Sequence, residues 1–270
     1  ETILVSGGGG SGKSTWVLQM IHDHVPANQP IWVIEGERKI RGAATLFGGF
    51  PENVKGVYNP LTIKEAAQIV NEEIIPVVRG KPEGYGIVVV DMLNLFWEKA
   101  QADFHEVLSQ DTDIAEYMQM KMEERKSKGQ SQTAANMFEG FTEWPIVKAM
   151  HNKNFLDILL QDIPSHIIAT ATSREIRTDS GNMNDKPDRA AMWAQAGELP
   201  EGEKYSDSKF ITCMALQRLG LIDPQHRIWM TKDRSRTLGK IGAYFSDVLC
   251  SPDEESGIFD LWIEATSLRS

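Results

Sequence analysis

The chain has 270 residues, of which 41% are hydrophobic and 24% charged, and its formal net charge is −10. That suits one large or two small globular domains with a substantial core. The acidic balance argues against a general nucleic-acid coat and a basic membrane-surface protein, but leaves room for a local basic binding loop.

The two cysteines, Cys213 and Cys250, stand far apart, and no Cys/His spacing reads as a zinc site. Reduced thiols in a cytosolic setting are expected. No apolar stretch reaches the ~18 residues of a membrane span, so no membrane role is expected. Glu1 leads straight into an apolar run, and whether residues precede it is left open.

Ile3-Leu4-Val5 predicts a buried strand. Gly7 to Ser14 then reads Gly-Gly-Gly-Gly-Ser-Gly-Lys-Ser, a complete G-x-x-x-x-G-K-[ST] phosphate-binding loop, and Thr15 to Ile21 has helical spacing. Strand, glycine loop and helix start form the context in which this motif works. The glycines let successive N–H groups turn toward a phosphate. The helix N-terminus adds partial positive charge at the same place. Gly9, Gly10, Ser11, Gly12, Lys13, Ser14 and Thr15 are therefore expected to hold ATP, with Lys13 on the β- and γ-phosphates and Ser14 on Mg²⁺.

Pro30 to Ile34 predicts a second strand, ending in Glu35-Gly36-Glu37-Arg38. The Gly- and Pro-rich stretch 41–60 reads as loop. A helix is expected from a Thr62/Glu65 capping box to about Val78. Gly86 to Asp91 is a continuous apolar run ending in a carboxylate, which suits a parallel strand covered on both faces. Asp91 then sits at a strand's C-terminal end, where doubly wound sheets bind ligands, and is the candidate Mg²⁺-orienting carboxylate. Residues 98–143 are polar, rich in Met, Glu, Gln and Lys, and helix-prone, and read as an inserted helical segment within a single domain spanning 1–270. Within it, the stretch from Lys126 to Gln132 reads as mobile. A helix from Trp144 to about Leu160 and a strand at 165–171 follow. Residues 174–206 read as a long loop, Phe210 to Leu219 as a short apolar element, Arg227 to Thr231 as a strand and Ile258 to Ile263 as a last strand. The alternation predicts an α/β fold with a mainly parallel twisted sheet flanked by helices. Trp32, Trp229 and Trp262 are expected in the core, as are Phe96 and Trp97 in preference to stacking on a nucleotide.

Glu35 at the end of the strand after the loop helix, Asp91, the strand at 166–171 and the Lys232-Asp233-Arg234 segment give a chain that resembles RecA-like phosphate-loop ATPases. These are the RecA recombinases, KaiC-type ATPases and hexameric replicative helicases. The resemblance implies that Glu35 is the catalytic base, with Glu37 its local competitor. It implies that Lys232 and Arg234 reach the ATP of a neighbouring subunit, in a homo-oligomeric ring or filament. Two cations at i and i+2 on an extended segment do share a side. It also implies a polar sensor among Thr172, Ser173 and Arg174, and a loop at 174–206, carrying Arg174, Arg177, Lys186 and Arg189, that contacts single-stranded DNA. The look-alikes include small phage-encoded ATPases of recombination or single-strand annealing, working in the host cytoplasm. A helicase or packaging motor uses the same core. A nucleoside or small-molecule kinase, with 98–143 as lid, and a regulatory nucleotide-binding module remain the other classes.

Overall fold

The computed structural model describes residues 1–109, 114–130, 143–175, 198–200, 209–219, 225–233 and 244–246. In chain order these form β1 (Thr2–Gly7), α1 (Lys13–Asp23), β2 (Ile31–Glu35), α2 (Lys39–Ala44), β3 (Val54–Tyr58) and α3 (Ile63–Ile69). A wider helical turn, Val70–Ile74, joins α3 to α4 (Ile75–Val78). Then come β4 (Ile87–Asp91), α5 (Leu93–Ser109), α6 (Ile114–Ser127) and α7 (Glu143–His151). Beyond these lie β5 (His166–Glu175), β6 (Glu198–Pro200), β7 (Thr212–Leu219), β8 (Gln225–Asp233) and β9 (Tyr244–Ser246).

The strands lie in the order β3-β2-β4-β5-β1-β7-β8-β9, with β6 paired to β5. From β3 to β7 every pairing is parallel. Strands β8 and β9 continue the sheet antiparallel. This is the expected α/β architecture, a mainly parallel twisted sheet between helices. Parallel strands need crossovers, and the crossovers put helices over both faces. Residues 31–35 and 87–91 are accordingly buried throughout, because no face of the central strands meets water.

The alternation of side chains sorts the core into two layers. Ile3, Val5, Val33, Val89 and Ile168 pack on one face with α1, which contributes Trp16, Val17, Met20 and Ile21. The spacing of those four makes one apolar stripe along the helix. Leu4, Trp32, Ile34, Val88 and Val90 line the other face, under Ile63 and Ala66 of α3, Phe96, Ala100 and Phe104 of α5, and Val147 of α7. Phe96 stacks on Phe155 with ring centroids 4.7 Å apart, and Trp32 is buried, as expected for core aromatics. Trp97 is half-buried and stacks on Trp144 at 5.8 Å. The Thr62 cap forms, with the Glu65 N–H donating to Thr62 Oγ1 at 3.0 Å, while Glu65 reaches back to the Leu61 N–H at 2.6 Å.

Three expectations change. The stretch 41–60 is not all loop: Arg41 to Ala44 complete α2, and Val54–Tyr58 is the edge strand β3. Its Gly and Pro content hid a strand whose pairing to β2 comes from the sheet, not from local pattern. Helix α5 starts at Leu93, and Ala100 and Phe104 are core residues, so 98–109 is a sheet-packing helix continuous with the strand exit. Of the stretch 126–132, Lys126 and Ser127 end α6 and Gly129 follows in the left-handed region at φ 68°, while 131–132 lie outside the described residues. The element at 210–219 is β7, which pairs in parallel with β1. The expected strand at 258–263, with Trp262, lies outside the described residues.

Candidate nucleotide site

The loop between β1 and α1 takes its shape from left-handed glycines. Gly10 has φ 74° and Gly12 φ 88°, a region that side chains with a Cβ rarely occupy. Gly7 is required for a second reason: a Cβ there would lie 2.4 Å from the Leu216 carbonyl oxygen on the neighbouring strand. Gly12 precedes α1 without a side-chain cap, and no acidic residue sits in the first turn. The helix dipole favours an anion at this end. Lys13 is buried, and its Nζ donates to Gly7 O at 2.7 Å and Gly8 O at 3.0 Å. The ammonium is thereby fixed inside the loop that it would share with phosphates.

Asp91 ends β4 with 2% exposure. Ser14 Oγ donates toward both of its carboxylate oxygens, at 3.1 Å each. Thr170 Oγ1, from the interposed strand β5, donates to Asp91 Oδ1 at 2.5 Å. Burial pushes the Asp91 carboxyl above its ordinary range, and the Thr170 and Ser14 hydrogen bonds pull it back down. Among the described residues no group of three or more His, Cys, Asp or Glu side chains forms a self-sufficient metal cage. A Mg²⁺ ion fits this donor set in the manner it usually does, with Ser14 and Asp91 supplying a few oxygens and phosphates and water the rest.

Glu35 stands beside Asp91, the two being register partners on β2 and β4. Alternation puts both on the face that carries α1, next to the loop helix. Glu35 is fully buried. Its Oε1 accepts from Arg41 Nε at 2.5 Å, while Oε2 has no hydrogen-bond partner among the described residues. Burial pushes this carboxyl up, the Arg41 contact pulls it down, and Asp91 adds a smaller upward push. The backbone is pinned as well: Asn59 Nδ2 donates to Glu35 O at 2.8 Å, and Gly36 N donates to Asp91 O at 2.5 Å. Glu37 lies past the strand end and pairs with Lys39.

The structure therefore gathers Lys13, Ser14, Asp91 and Glu35 at one end of the parallel sheet. Lys232 lies within β8, opposite Cys213, and not after the strand. Arg234 lies outside the described residues, as do 176–197 and 201–206 of the expected DNA-contacting loop, with Arg177, Lys186 and Arg189. Of the sensor candidates, Thr172 donates its N–H to Asn94 Oδ1 at 3.1 Å, and the backbones of Ser173 and Arg174 pair with β6. Thr170, Arg41 and Asn94 went unnoticed in the sequence. A strand threonine reads as ordinary β filler. Arg41 lies in a Gly- and Pro-rich stretch, where its one signal is its place six residues after an acidic strand end.

No protein-family model matches the chain, and no curated protein does. Among solved structures it is similar to a KaiC-like protein from the hyperthermophilic archaeon Pyrococcus horikoshii OT3, at 12% identity over 86% of this chain and 80% of that one, with a TM-score of 0.47. It is similar to the RadB recombinase at 13% identity over 92% of this chain and 87% of that one, also with a TM-score of 0.47. Likenesses at this level say nothing of substrate or partner, and the site stands on its own geometry. Among the described residues no helix is long and apolar enough to cross a membrane.

Proposed function

We propose that the protein is a RecA-like ATPase that hydrolyses the β–γ bond of ATP with Glu35 as the water-polarising base. One observation carries this reading. A fully buried glutamate, with one oxygen unpartnered among the described residues, lies in register with the buried carboxylate that holds the phosphate-loop serine. A buried acceptor left unmade costs about 1–3 kcal/mol, so stability alone does not account for Glu35. Groups that violate local rules at such cost mark functional sites.

In this reading the loop N–H groups and Lys13 bind and orient the phosphates, and Ser14 and Asp91 orient the metal. Bound Mg²⁺ would neutralise charge on the β- and γ-oxygens. Glu35 accepts a hydrogen bond from the attacking water and takes its proton. Lys232 and Arg234 complete the site from a neighbouring copy. Residues 1–270 form one ATPase domain, and the inserted helical part of 98–143 begins after α5. The loop at 174–206 contacts single-stranded DNA in recombination, annealing or replication. Its local basic residues in an acidic chain support that contact.

The test is phosphate release. With ATP and Mg²⁺ and no acceptor molecule, the protein is expected to liberate orthophosphate, faster when single-stranded DNA is added. ATP binding without orthophosphate would sink the ATPase reading, and transfer of phosphate to an added nucleoside would replace it with a kinase.

A further inference from the structure

Arg41 links two parts of the molecule that the catalytic reading treats separately. It lies on α2, six residues beyond Glu35, and is half exposed at 50% while its partner is 0% exposed. Its Nε donates to Glu35 Oε1 at 2.5 Å, and its Nη2 donates to the carbonyl of Val57 on the edge strand β3 at 2.7 Å. One planar guanidinium therefore spans the carboxylate and the outermost strand. Arginine suits this because its donors sit in a rigid fork, whereas a lysine ammonium is a single point on a flexible stem.

The consequence for Glu35 is an asymmetry. Oε1 is taken by a cation anchored at its other end, and Oε2 is left without a partner among the described residues. A general base needs this arrangement: one oxygen held so that the plane of the carboxylate is set, the other available for the proton. Among the described residues, Arg41, Arg38 and Asp91 are the charges that shift Glu35. Arg41 and Arg38 favour its ionised form, Asp91 opposes it, and of these Arg41 alone donates a side-chain hydrogen bond to it. Arg38 instead reaches Asn59 Oδ1 at 3.4 Å.

We infer that Arg41 is the positioning residue for Glu35, pinning Oε1 to the sheet edge so that Oε2 alone faces the attacking water. The inference rests on the catalytic reading of Glu35 given above. Arg41 touches no phosphate in this scheme and acts on the reaction only through the glutamate. A misplaced reacting group costs up to about a hundredfold in rate without weakening ground-state binding.

The experiment compares Arg41→Ala, Glu35→Gln and the double variant in single-turnover hydrolysis, with nucleotide affinity measured by a fluorescent ATP analogue. Arg41→Ala is expected to lower kcat about 10- to 100-fold and to leave affinity within about twofold of wild type. Low-millimolar guanidinium should restore part of that kcat, since the vacated site opens to solvent. It should do nothing for Glu35→Gln. In the double variant, loss of Arg41 should change the residual rate less than about twofold, because residues acting as a unit are not additive. If Glu35→Gln hydrolyses ATP like wild type, the catalytic reading itself fails. If that variant is silent but Arg41→Ala keeps wild-type kcat, or its effect multiplies in the double variant, the positioning role alone is overturned. Should Arg41→Ala fail to fold, as read by its circular-dichroism melt, Arg41→Lys carries the test. It keeps a cation but cannot hold Oε1 and Val57 together, and wild-type kcat in it overturns the inference.

Discussion

A Lys13→Ala protein is expected to bind ATP at least about tenfold more weakly and to hydrolyse it at least about a hundredfold more slowly. The first figure follows from a charge-assisted hydrogen bond, worth about 1.5–3 kcal/mol. The second adds the loss of a fixed cation where charge gathers in the transition state, which costs about 10² to 10³ in comparable sites. Lys13 is well placed for both effects. It is buried and already oriented by the Gly7 and Gly8 carbonyls, so little further ordering is needed on binding. The same variant tests the shared site. Mixed with Arg234→Ala protein, it should recover part of the ATPase activity, because the first supplies an intact Arg234 and the second an intact loop. Activity in the mixture no higher than in either variant alone would argue that Arg234 does not act on a neighbouring copy's ATP. Equilibrium binding and phosphate release, measured on the two variants and their mixture, decide it.

An Asp91→Asn protein should separate stability from function. The carboxylate is 2% exposed, and burial holds its folded-state pKa above the ordinary value of 3.8. A carboxyl whose pKa rises on folding supports the fold while protonated, and that support is lost as pH climbs through the folded-state value. At neutral pH burying the Asp91 carboxyl is therefore a burden on the apo fold, relieved only in part by Ser14 and Thr170. Asparagine keeps an acceptor for those hydroxyls and removes the charge. Thermal unfolding without nucleotide should give a Tm equal to or above wild type at pH 7, with the advantage shrinking as pH falls toward 4. Magnesium-dependent hydrolysis should fall at least about a hundredfold, because the metal-orienting charge is gone. A marked drop in Tm at pH 7 would mean that Asp91 is held for structure.

The parts of the site readable in the sequence are those with local pattern. The phosphate loop declares itself between a strand and a helix, and Asp91 closes a run apolar enough to demand burial. Glu35 is the lone charge in a five-residue strand otherwise apolar, which marks it once β2 is recognised. What escaped was tertiary. Strand β3 forms on β2 from a Gly-bearing segment, and only after it forms does Val57 offer a carbonyl to Arg41. Thr170 becomes a partner of Asp91 only because β5 lies between β4 and β1, and strand order is not a local property. Helix α5 was blurred for a similar reason. Ala100 and Phe104 carry the core face into a stretch whose other face is polar, so composition over 98–143 read as an insertion.

The account turns on Glu35, and one comparison tests it most directly. Wild-type and Glu35→Gln proteins would be loaded with ATP and Mg²⁺, with bound nucleotide and released orthophosphate followed in the same single-turnover reaction. The substitution keeps the side chain's shape and its Oε1 as an acceptor for Arg41 while removing the capacity to take a proton. The prediction is nucleotide affinity within about threefold of wild type and phosphate release slower by at least about a hundredfold, the lower end of the range for a general base. Phosphate release at the wild-type rate would contradict the account, whatever the affinity.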